Sequence, residues 1–168
     1  MVCLPIPQVT TGKEMRYYRL QNLVLRPDRF HVGRKIDKII IHHSASPSST
    51  TVEDIRKWHV EDNGWNDIGY HFVITEDGVI HECRPLAKIG AHTKGNNRYS
   101  IGICLVGNTS VIAPSMTQMA QLTSLIRALC DDFILEPDNV EGHQEFGDTE
   151  CPGAFLMGWI EQYRSHLG

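Results

Sequence analysis

The sequence predicts an α/β fold, a single domain in which helices flank a mixed central β-sheet. Three observations point to it. Ile39, Ile40 and Ile41 follow one another without alternation, which suits a strand covered on both faces. The stretch "GYHFVITEDGVIHECRPL" holds two β-rich runs divided by Glu76-Asp77-Gly78, the pattern of a hairpin. Helically spaced apolar residues alternate with further strands, an order that leads to a sheet packed on by helices.

Residues 1–35 carry no periodic pattern and read as an N-terminal tail and lead-in, leaving 36–168 as the domain. Residues 37–42 form the central strand. In "SPSSTTVEDIRKWHVED" a loop gives way to a helix: Thr51 and Asp54 have the spacing of a capping pair, and Val52, Ile55, Trp58 and His59 share one side. The hairpin comes next, with Gly78 supplying the positive φ its turn requires. Ser100 to Val106 is another apolar strand, ended by Gly107-Asn108. From Ser115 to Phe133 the residues Met119, Leu122, Leu125, Ile126, Leu129 and Phe133 recur at helical spacing, with Ser115 and Gln118 placed to cap the start. A short strand near Asn139–Glu141 follows. Pro152 then opens a last helix with Phe155, Trp159, Ile160 and Tyr163 as its inward stripe.

Composition narrows the function classes. With 16 Lys and Arg against 20 Asp and Glu, a net charge of -4 leaves no cationic surplus for phosphates, so nucleic acid is not an expected partner. No segment has the length and apolarity to span a bilayer, so membrane insertion is not expected. The first twenty residues contain Pro5 and Pro7 and lack the apolar core of a Sec signal peptide, so the chain is expected to be cytoplasmic at synthesis. Five cysteines without paired spacing argue against a secreted disulfide framework. Among them Cys83, Cys104 and Cys130 read as inert core thiols.

Chemistry concentrates in two places. In "KIIIHHSAS" the adjacent His42 and His43 project to opposite faces of a strand, so only one of them can join a given metal site. In "EGHQEFGDTECPG", His143 and Cys151 lie eight apart, at the two ends of a loop turned by Gly142, Gly147, Pro152 and Gly153. One strand-end histidine with that histidine and cysteine makes a His2Cys set, three protein ligands with a fourth position for water, the pattern of catalytic zinc. A thiolate also favours zinc over magnesium or calcium. The spacing equally suits a loop histidine and a small buried cysteine, and by itself leaves both readings open.

Four blocks in order, "IIIHHSAS", "GWNDIGYHFVITEDG", "IGAHTKGNNRYSIGICLVGN" and "GHQEFGDTECPG", resemble the zinc N-acetylmuramoyl-L-alanine amidases, the group of phage lysozyme-like amidases and animal peptidoglycan recognition proteins. The resemblance runs from about Ile36 to the last helix. It implies cleavage of the amide between the lactyl group of muramic acid and L-alanine of the stem peptide, with one zinc ion and peptidoglycan or a muropeptide as substrate. On that resemblance His42, His143 and Cys151 match the zinc ligands and Tyr70 the catalytic tyrosine. Thr149 falls where phage members often carry lysine and active animal members threonine. His92 and Asn97 fall where the family lines its substrate groove, and Trp65 is either a groove aromatic that stacks on sugar or a buried anchor. The phage lysine and the animal disulfide are both absent. Amidases that recycle muropeptides typically have aspartate as third ligand, so Cys151 leans toward a lysin-like enzyme that waits in the cytoplasm and acts on the wall after release.

The mechanism implied is metal-assisted amide hydrolysis: Tyr70 stabilises the oxyanion, Thr149 donates a further hydrogen bond or orients water, and the proton is taken either by Tyr70 through water or without a strong base. The alternative is a recognition module that binds peptidoglycan without cutting it, in which a metal ligand, usually the cysteine, is replaced. Some phage members also bind and restrain a polymerase, and no residue marks such a protein partner here.

Overall fold

The computed structural model describes residues 16–18 and 33–167. Six strands, β1 (Arg16–Tyr18), β2 (Lys38–His43), β3 (Phe72–Ile74), β4 (Ile80–Glu82), β5 (Ser100–Leu105) and β6 (Val140–Gly142), and three α-helices, α1 (Val52–Arg56), α2 (Met116–Phe133) and α3 (Ala154–Leu167), are found among these residues. The sheet order is β1-β4-β3-β5-β2-β6. β3, β5, β2 and β6 run parallel, while the β3–β4 hairpin and β1 add antiparallel pairs, so the sheet is mixed as expected.

Register sorts the side chains into two layers. Ile39 lies opposite Ile101, and Ile41 and Phe72 opposite Ile103, and this face packs against Leu122, Leu125, Ile126 and Leu129 of α2 and Leu156, Met157 and Ile160 of α3. The other face carries Val73, Cys104 and Val106 beneath Val52 and Ile55 of α1 and Ile68. Ile39, Ile40 and Ile41 are all fully buried, with α2 and α3 covering the face of Ile39 and Ile41. Three β-branched residues fill the middle of the strand, and its last two positions, His42 and His43, bring imidazoles to its carboxyl end.

Local signals set the ends. Thr51 and Asp54 form a reciprocal capping box at α1, and Ser115 and Gln118 another at α2. Gly78 turns the hairpin at φ +78°. Three differences from expectation have physical causes. The lead-in is not irregular throughout: Arg16–Tyr18 pairs with β4, where an open strand edge offered unpaired backbone groups, while residues 1–15 and 19–32 of that lead-in lie outside the described residues. α1 loosens into a π-helical stretch over Lys57–Asp62, which leaves Trp58 38% exposed instead of stacked on Val52 and Ile55. In α3, Leu156, Met157 and Ile160 are buried with Trp159 and Tyr163 packed partly against them, while Phe155, at the edge of that stripe, is 48% exposed.

Candidate active site

Each candidate ligand is delivered by the edge of an element. His42 is the penultimate residue of β2 and His143 follows β6 directly, and since β2 and β6 are parallel neighbours their carboxyl ends lie side by side. Ligands gather at such strand ends in open α/β sheets. Cys151 comes from the turn before α3. His42 Nδ1 stands 3.6 Å from Cys151 Sγ, the His42 and His143 ring centroids are 4.6 Å apart, and one donor atom from each of the three residues falls within 4.8 Å of the others. The His43 ring points to the opposite side, where its Nδ1 accepts the Thr109 N–H. Thr109 in turn hydroxyl-bonds the Pro152 carbonyl, so His43 ties the cysteine-bearing turn to the sheet.

Electrostatics suit cation binding by neutral donors. Burial, reinforced by the His92, His143 and His43 rings, holds the His42 imidazole well below its ordinary value, and burial lowers His143 too. Both are lone-pair donors at neutral pH. Burial pushes the Cys151 thiol up to about 11, so ionisation there calls for a cation beside the sulfur.

Tyr70 lies just before β3, its ring centroid 5.1 Å from that of His42. Burial, then the Cys104 and Cys151 thiols, raise its phenol well above the usual tyrosine value. Thr149 Oγ1 accepts the Cys151 N–H at 3.2 Å and so shapes the ligand turn. Trp65 is 39% exposed and rests against His59, with centroids 4.7 Å apart, which excludes the buried-anchor reading. His92 is buried and bonds His42 Nε2 at 2.9 Å, and Asn97 Oδ1 accepts from the backbone N–H groups of His92 and Thr93 at 2.8 Å each. His92 thus turns inward behind His42, while Asn97 is half-buried and fastens the loop that carries it. His71, fully buried, accepts the Gly102 N–H and takes no part in the ligand set.

One pair was not legible in the sequence. Glu145, in the 3-10 turn that begins at His143, accepts both guanidinium nitrogens of Arg164 at 3.0 Å and the Gly142 N–H at 2.6 Å, and Arg164 Nε reaches the Val140 carbonyl. This clip fastens the His143 arm to α3. A separation of nineteen residues across a loop and a helix leaves no periodic signal for it. Burial pushes the Glu145 carboxyl up, but Arg164 and the Gly142 N–H together outweigh it and hold the group below the usual glutamate range. A depressed carboxyl stabilises the fold above its unfolded value, and that contribution disappears as pH falls through the folded value. Arg164→Met is therefore expected to lower the Tm at neutral pH, with the deficit shrinking as pH drops below the ordinary glutamate range. Thermal unfolding of both proteins over that interval reads it, and a deficit constant with pH would remove the clip.

The profile of a family described as N-acetylmuramoyl-L-alanine amidase matches residues 32–154. The endolysin of Escherichia phage T7 is 36% identical over 141 residues, covering 80% of this chain and 91% of its own. Peptidoglycan-recognition protein LB of Drosophila melanogaster is 35% identical over 134 residues, 74% of this chain and 58% of that protein. Among solved structures, N-acetylmuramoyl-L-alanine amidase LysC from Clostridium intestinale URNW superposes with a TM-score of 0.71 at 31% identity, over 78% of this chain and 86% of its own. A matching profile over most of the chain, a phage endolysin aligned over 91% of its length and a shared fold agree with the ligand geometry, and the chain belongs to the N-acetylmuramoyl-L-alanine amidase family.

Proposed function

We propose that one zinc ion, held by His42, His143 and Cys151, serves this peptidoglycan amidase, which hydrolyses the amide between the lactyl group of N-acetylmuramic acid and L-alanine of the stem peptide. The observation that carries the proposal is the convergence, within 4.8 Å, of two imidazole donors at the ends of two adjacent parallel strands and one sulfur from the turn before α3. The donor set fits the ion: zinc–sulfur and zinc–nitrogen lengths at a tetrahedral angle put the two atoms about 3.6 Å apart, and His42 Nδ1 and Cys151 Sγ are 3.6 Å apart. Three protein ligands leave a position for water or substrate.

When bound, zinc polarises the lactyl carbonyl and lowers the pKa of water toward about 7. The rest is the work of side chains. Tyr70 keeps its proton in its buried setting beside His42, where its hydroxyl can donate to a developing oxyanion. This favours Tyr70 as donor over Tyr70 as base. Thr149 holds the Cys151 backbone and keeps its own hydroxyl proton for substrate or water. Trp65, half-exposed on the Tyr70 side, offers a ring for a sugar face. Residues 36–168 form the catalytic domain, with Arg16–Tyr18 added to its sheet edge.

Relatives named as endolysins support a lysin role, with the protein reaching the wall after release from the cytoplasm. No helix among the described residues is long and apolar enough to cross a membrane. Digestion of purified cell wall is expected to release free stem peptides beginning at L-alanine, read by mass spectrometry; a chelator stops the release and zinc restores it. Wall binding without such peptides would instead establish a recognition module.

A further inference from the structure

We propose that His92 is a positioning residue that fixes the tautomer of His42, at the end of a hydrogen-bond chain anchored on the Asn96 carbonyl. The proposal rests on reading His42 as a metal ligand. The direction of the chain follows from its anchor. A carbonyl only accepts, and Ser100 Oγ lies 2.8 Å from the Asn96 oxygen, so the Ser100 proton is committed there. What the hydroxyl presents to His92 Nε2, at 3.3 Å, is a lone pair, so that nitrogen carries a proton and donates. His92 is buried among an imidazole and two hydroxyls, partners that do not compensate a charge, which favours the neutral ring with a single N–H. Its Nδ1 is then a bare acceptor 2.9 Å from His42 Nε2, and His42 Nε2 donates. That leaves the His42 lone pair on Nδ1, the nitrogen that faces Cys151 Sγ. Thr93 Oγ1, 3.0 Å from His92 Nδ1 and 3.4 Å from His42 Nε2, accommodates the same polarity from the side.

The seat of the ring argues that this is more than filling. A Cβ on Gly102 would lie 2.5 Å from His92 Cγ, and one on Gly90 2.5 Å from His92 Cδ2, so backbone presses on the imidazole from two segments where no side chain fits. Asn97 Oδ1 holds the His92 and Thr93 N–H groups and fixes the backbone beneath. The imidazole is thus clamped at both nitrogens, at the ring and at the main chain. A metal-binding histidine is ordinarily oriented by a partner on its other nitrogen, and here that partner is a second imidazole whose own proton is set two links away. Without it, the His42 Nε2–H is buried with no full acceptor, and Nδ1 presents its lone pair only part of the time.

Two measurements test this. In the full chain labelled with 15N-histidine and stripped of metal by chelation, long-range 1H–15N correlation spectra are expected to show both His42 and His92 neutral and protonated on Nε2. A His42 protonated on Nδ1 overturns the proposal. In the second, zinc affinity is read by competition with a chromophoric chelator. His92→Ala is expected to weaken zinc about 10–100-fold, and His92→Gln, whose carboxamide oxygen accepts from His42, to recover most of the loss. A folded His92→Ala protein with wild-type zinc affinity overturns the proposal. If His92→Ala does not fold, the wild-type spectrum alone decides. Failure of the wild type to bind zinc overturns the metal reading, and the spectrum still decides the hydrogen-bond chain.

Discussion

Replacing Cys151 by serine is expected to abolish wall lysis and to empty the site of zinc. The sulfur is the one soft donor of the three, and a serine hydroxyl, far harder to deprotonate, leaves two imidazoles to hold the ion. Two neutral ligands in a part-buried site neither neutralise the cation nor complete a tetrahedral base. The change removes little packing, since Cys151 is only partly buried, and the turn that carries it is held independently by Thr149, His43 and Thr109. Loss of activity should therefore come without loss of fold. Elemental analysis after dialysis, turbidity clearance of purified wall and thermal unfolding of the stripped protein together check this. Full activity with one zinc per chain would take Cys151 out of the ligand set.

Tyr70→Phe is expected to lower kcat by about 10²–10³, the cost of one oxyanion donor, while zinc content and KM stay near those of the wild type. The variant removes one oxygen and keeps the ring that packs against the α1 face of the core. Its effect should therefore fall on the transition state, where the hydroxyl meets a developing oxyanion. Steady-state kinetics on a soluble muropeptide separates the two parameters. A rise in KM at unchanged kcat would make Tyr70 a binding residue.

Much of this was legible in the sequence because it is local. Three consecutive isoleucines announce a strand covered on both sides, capping pairs sit at a fixed spacing, and Gly78 is needed wherever the hairpin turns. His42 and His43 part company by strand parity alone, and the structure places their rings on opposite sides. What stayed hidden is tertiary. His92 lies in an irregular loop where no period says which way a ring points, so only three-dimensional neighbours turn it inward to His42. The Glu145–Arg164 clip joins a loop to a helix, and its partners lie at no helical or strand spacing. Phe155, placed in the inward stripe by its four-residue spacing from Trp159, lies off the face that Leu156, Met157 and Ile160 centre, and spacing alone does not tell the edge of a stripe from its middle.

Register between β2 and β6 carries a last consequence. Ile41 stands opposite Gly142, so the residues that follow on each strand emerge about one inter-strand spacing, roughly 4.8 Å, apart. The two imidazoles are thus spaced by main-chain hydrogen bonds of the sheet, which form from apolar burial and need no ion to draw them together. Loading such a scaffold resembles filling a socket more than assembling one: stripping and reloading should be quick, reversible and nearly silent in the far-ultraviolet dichroism, and availability of the metal in the surroundings, instead of a folding event, would govern when the protein becomes competent.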